Sequence, residues 1–159
     1  MPVDYAAAAL AAARRWCGWA VTPPEEDVTV TVDGPGTKVL SLPSLHVTEV
    51  TAVVEDGVEL DVDDLRISRN GQIRKRSGAC WTSAYAGVVV TMTHGYTTAP
   101  DFDAAVEQAA ASLTASASRD AAVKREKIVD VEYEWFADGS VSQFLNTSLL
   151  APYRILPGP

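Results

Sequence analysis

The stretch Val90–Gln108, VTMTHGYTTAPDFDAAVEQ, contains the change of period on which the fold turns. Up to Tyr96 the segment GVVVTMTHGY is rich in β-branched residues and reads as an apolar strand. Beyond Pro100 the residues Phe102, Val106, Ala109, Ala110, Leu113 and Ala117 follow helical spacing. Pro100 fits the first helical position, and Asp101 and Asp103 favour the positive end of the helix dipole, so a helix is expected over 100–122. His94 stands where the strand ends, either as a catalytic group on display or as part of the corner. No GxSxG elbow or comparable nucleophile setting accompanies it, which favours the structural role.

Reading outward, DYAAAALAAARRWCGW predicts a helix over 4–17, with Gly18 suited to a left-handed C-terminal cap. Val28, Val30 and Val32 alternate with Thr29 and Thr31, Asp33-Gly34-Pro35-Gly36 signals a turn, and Lys38 to Leu42 supplies a returning strand. Val47 to Leu60 repeats the pattern around Asp56-Gly57. In LRISRNGQIRKR, Asn70-Gly71 suits a two-residue type I′ hairpin turn. A further strand is expected in KIVDVEYEWF, with a turn at Asp138-Gly139, then a short helix before Pro152 and an extended Pro-rich tail. The order of helix, antiparallel hairpins over 27–94, long helix, strand and short helix is α+β. It divides into one domain over 1–148 and a C-terminal arm over 149–159.

A chain of 159 residues, 47% hydrophobic and 21% charged, can bury a core as one globular domain. Its net charge of −8 argues against general nucleic-acid binding, which requires phosphate neutralisation. Cys17, Cys80, His46 and His94 lack short ligand spacing, so neither a zinc site nor any other metal or cofactor is expected, and the cysteines read as buried thiols of a reducing compartment. No Walker loop, GxGxxG or calcium-loop pattern occurs, and a non-enzymatic role is expected. No run has the length of a membrane span and no signal peptide is visible, so synthesis in a cytoplasm is expected.

Two patterns point to assembly. The second helix carries Ala111, Ser112, Ala115 and Ser116 where a solvated face would carry Lys and Glu, which suggests a second helix packed there, from this chain or another. The acidic run Glu55 to Asp64, with Asp61, Asp63 and Asp64, directly precedes a basic run ending in Arg74, Lys75 and Arg76. These charges fit a solvated hairpin, or DNA contact by Arg69, Arg74, Lys75 and Arg76, or complementary edges meeting on adjacent copies in a head-to-tail ring.

Taken in order, the helix end Trp16-Cys17-Gly18-Trp19, the strand exit Leu42-Pro43, the turn Asp56-Gly57, the entry Thr93-His94-Gly95-Tyr96 to Pro100, and Leu150 to Arg154 resemble the head-to-tail adaptor (head completion, or connector) proteins of long-tailed bacteriophages. The similarity is greatest to those of actinobacterial phages and prophages. The resemblance implies a virion structural protein made in the bacterial host cytoplasm. It would form a ring, usually twelvefold, beneath the portal, extend the DNA channel without gripping DNA, and present a surface to the next neck or tail protein. Stopper and tail-completion proteins, or a host small-ligand-binding α+β domain, are the alternatives. The apolar Leu149, Leu150, Tyr153, Ile155 and Leu156, with Arg154, are too apolar for an idle tail and read as a portal-docking arm. The competing reading folds that segment back on the core.

Overall fold

The computed structural model describes residues 3–123 and 141–156. The strand and turn expected within 128–139 lie outside the described residues. The chain forms two compact units, one made of Met1–Cys17 with Pro100–Arg154, the other of Gly18–Ala99 with Ile155–Pro159.

The first unit is helical. Helix α1 spans Tyr5–Cys17, and Asp4 starts it by accepting from the Ala7 amide through Oδ1 at 3.0 Å. Gly18, at φ +87°, ends it. Helix α2 spans Pro100–Val123 with Asp101 and Asp103 in its first turn. The two helices pack together, and their fully buried residues are Ala9, Ala13 and Cys17 on α1 and Phe102, Ala105 and Ala109 on α2. Small side chains at these positions let the helix backbones approach closely. A 3-10 turn at Val141–Phe144, the short helix α3 (Thr147–Leu150) and a 3-10 turn at Ala151–Tyr153 complete this unit.

The second unit is a two-layer β structure. Strands β1 (Glu25–Val32), β7 (Val88–His94), β3 (Val47–Glu55) and β4 (Val58–Leu60) form a four-stranded antiparallel sheet in the order β1-β7-β3-β4. Strands β2 (Val39–Ser41), β6 (Gln72–Lys75) and β5 (Leu65–Ser68) form a second antiparallel sheet in the order β2-β6-β5. Their inward residues share one core. Val47, Val50, Val53, Val88, Val90 and Met92 enter from the first sheet, Leu40, Leu65 and Ile73 from the second, and Leu42 and Trp81 close it.

Two local expectations need correction. Lys38 to Leu42 does not return on β1. Instead β1 pairs with β7, and β2 crosses to the other sheet to pair with β6. Gly34 is what allows the crossing, because a Cβ there would lie 2.2 Å from the Thr82 carbonyl oxygen. The type I′ turn sits at Asp56-Gly57, where both residues have positive φ (+49° and +80°) and Glu55 faces Val58. Between β5 and β6 the loop has three residues, Arg69 to Gly71. The Gly71 amide bonds the Ser68 carbonyl at 3.0 Å and only Gly71 is left-handed. Its length is fixed from outside, since the Leu42 amide donates to Gly71 O and the Val47 amide to Arg69 O.

Candidate functional site

The corner THGYTTAP is a structural junction. His94, 5% exposed, lies at the end of β7 with Glu25 of β1 on one side and Val47 of β3 on the other. Its ring stacks on Trp19 with centroids 6.2 Å apart. Trp19 in turn meets Tyr96 at 6.0 Å, and Tyr96 stacks on His46 at 4.2 Å. The Gly95 amide donates to His46 O and the Tyr96 amide to Val21 O, at 2.9 and 2.7 Å. Tyr96 thus anchors the corner, and Gly95, at φ +105°, gives it room. A histidine held inside a sheet and covered by an indole is placed for packing, as its neighbours in sequence suggest.

The arm residues divide by position. Leu150 is fully buried, and its carbonyl lies 3.9 Å from the Cys17 sulfur. Tyr153 meets Phe102 edge-on at 6.0 Å, and the Arg154 guanidinium lies 4.6 Å over the Trp16 ring. Leu149 and Ile155 are half-buried. Leu156 is 72% exposed. The short helix expected before Pro152 is present, and helical structure runs past that residue. The chain is helical through Tyr153, with Pro152 inside the 3-10 turn, and becomes extended at Arg154.

The charged set is likewise split. Lys75 does not face outward: its Nζ pairs with Glu55, donates to Cys80 O at 3.1 Å and sits 4.8 Å over the Trp81 ring. Glu55 uses its other oxygen to accept from the Thr82 amide at 2.7 Å. Asp61 caps the 3-10 turn Val62–Asp64 by accepting from the Asp63 amide, and Asp64 O accepts from the Arg76 amide. Arg74 and Arg76 are exposed. Arg74 stands directly opposite Arg66, a partner that composition alone did not reveal and that the strand register does. Ala111 and Ala115 lie on the exposed side of α2, away from the Phe102, Ala105 and Ala109 stripe.

Both cysteines are free, but only Cys17 is buried as expected; Cys80 is exposed. Burial pushes the Cys17 thiol up to about 11, against a smaller downward pull from the Arg154 guanidinium. A thiol reagent at neutral pH is therefore expected to modify Cys80 alone in the native protein and both cysteines after denaturation. Native labelling at Cys17, read by peptide mapping, would show that α1 and α3 open readily. Among the described residues no three His, Cys, Asp or Glu side chains gather as a metal site. No helix among them is long and apolar enough to cross a membrane.

No protein-family model matches the chain, and no curated protein matches it in sequence. Solved structures do match. A chain from the neck of a native GTA particle, computed with C12 symmetry, superposes with a TM-score of 0.61 at 15% identity, over 98% of this chain and 82% of that one. A chain from the neck of an empty GTA particle, computed with C6 symmetry, gives 0.59 at 19% identity, over 98% and 78%. A chain from the virion of a native gene transfer agent (GTA) particle gives 0.56 at 18% identity, over 98% and 77%. At these identities the fold is what is shared.

Proposed function

We propose that this chain is a structural subunit of the neck of a phage-like particle, and within it the head-to-tail adaptor that rings the DNA channel beneath the portal. The observation that carries this reading is the likeness of fold over 98% of the chain to neck chains of a particle computed with C12 symmetry. The reading accounts for His94 serving a corner. It also suits the net charge of −8, because a channel that a polyanion must slide through should repel it weakly rather than hold it. In this role Leu149, Leu150, Tyr153, Arg154, Ile155 and the exposed Leu156 make up the portal-docking segment, in which Leu150 is the buried anchor. The next neck or tail protein binds the far side of the ring. Cryo-electron microscopy of the particle that carries this chain tests the proposal. A ring of this subunit directly against the portal is expected, and a ring elsewhere in the neck or tail overturns the adaptor assignment.

A further inference from the structure

Register puts Arg66 and Arg74 face to face across β5 and β6, on the side of the sheet opposite the buried Ile73. The remaining outward positions of this sheet are Val39, Ser41, Ser68 and Gln72, so its only outward charges are the two guanidiniums. Like charges directly opposite in an antiparallel pair destabilise it. Neither arginine makes an ion pair among the described residues, whereas Lys75, next in sequence, has its carboxylate in Glu55. Two uncompensated forks side by side can each take a carboxylate in two hydrogen bonds.

The complementary surface is on the same unit. An open recess is lined by Thr51, Glu59, Leu60, Asp61, Val62 and Asp63. Glu59, Asp61 and Asp63 are exposed, and no Lys or Arg of the described residues pairs with them. Glu59 stands opposite Val54, whose neighbour Val53 points into the core, so Glu59 is on the outer face of the four-stranded sheet. The arginine pair is on the outer face of the other sheet. The two surfaces are therefore on opposite sides of a two-layer structure, the arrangement that a head-to-tail contact between identical copies requires.

We infer that the Arg66–Arg74 face of one copy docks in the Glu59, Asp61 and Asp63 recess of the next. This rests on the ring-forming role proposed above and names the contact that closes the ring. It replaces Lys75 in the expected basic set by Arg66, and adds Glu59 to the acidic one. A nucleic acid is the weaker occupant, because the same unit bears the acidic recess and the chain has a net charge of −8.

The test uses the full-length chain at low salt, with light scattering, sedimentation and negative-stain microscopy. Arg66→Glu with Arg74→Glu is expected to weaken self-association by at least about tenfold, as a lost set of interfacial charge pairs does. Its melting temperature should stay near wild type, because one cross-strand like-charge pair replaces another. Glu59→Arg with Asp61→Arg and Asp63→Arg should be equally defective alone. Mixing the two variants should restore assembly, since each then offers the surface the other needs. Rings formed normally by the first variant, or no recovery on mixing, overturn this contact while leaving the neck role standing. A wild-type chain that stays monomeric at millimolar concentration overturns the contact as a self-sufficient one and leaves the neck role to the particle reconstruction. A shift of short duplex DNA by wild type that the first variant loses assigns the face to nucleic acid and also overturns the contact.

Discussion

Gly95→Ala is expected to destabilise the protein by about 2–5 kcal/mol, the combined effect of a backbone angle that a side chain resists and of overpacking. Gly95 has φ +105°, and a Cβ there would lie 2.8 Å from Pro24 Cα, 3.2 Å from Ala20 O and 3.3 Å from Val21 O. All three are backbone atoms, so no side chain can swing aside. Relief would have to come from the hydrogen bonds of Gly95 to His46 and Tyr96 to Val21, which hold the corner together. For a chain of this size the melting temperature should fall by roughly 5–15 °C. Gly57→Ala is the control. It shares a positive φ of +80° but meets nothing within 4 Å, so it should cost only about 1 kcal/mol. Equal melting of the two variants would show that the corner is free to shift and that Gly95 is not sterically confined.

The second large effect is expected at Leu150, where replacement by Ala should cost about 2–5 kcal/mol. Leu150 is fully buried in the helical unit, between exposed Ala151 and half-buried Leu149. Leu156→Ala, at a side chain 72% exposed, should leave the melting temperature within a degree or so of wild type. If the docking role holds, Leu156→Ala nevertheless weakens attachment of the neck to the head, scored as recovery of tailed particles. Together the two variants separate anchoring from docking within one short segment. A Leu150→Ala protein as stable as wild type would return the segment to a loose arm. Wild-type particle yields with Leu156→Ala would remove that residue from the portal surface.

The helices were legible because their ends are marked. Asp4 and Gly18 bracket the first, and Pro100 with Asp101 and Asp103 opens the second. Strand positions followed from alternation, but alternation does not name partners. β1 ignores the nearby Lys38–Leu42 segment and pairs with β7 far along the chain, a choice made by the shared core. The turn expected at Asp56-Gly57 forms, whereas the two-residue turn expected at Asn70-Gly71 does not, because the left-handed preference of Asn-Gly does not fix loop length. Tertiary hydrogen bonds from Leu42 and Val47 decide the loop at Arg69–Gly71. In the same way, composition marked the side of α2 with Ala111, Ser112, Ala115 and Ser116 for helix packing, but α1 uses another. α1 takes the face of Ala105 and Ala109, and Ala111 and Ala115 remain exposed. Charge runs showed that the β5–β6 hairpin is basic. They could not show that Lys75 is held by Glu55 while Arg66 and Arg74 face each other, since both facts depend on register.

The helical unit is assembled from the two ends of the described chain, with the whole of Gly18–Ala99 between them. α1 is synthesised first, yet the helix that covers Ala9, Ala13 and Cys17 follows only after the β unit. A nascent chain therefore carries a bare alanine-rich helix while the two sheets form, and the helical unit closes last, through contacts of high sequence separation. Folding is ordered accordingly. The helical unit is complete only once the C-terminal part of the chain has been made. Premature stops after Ala99 would keep all seven strands but leave the stripe on α1 uncovered, a species prone to associate through that stripe.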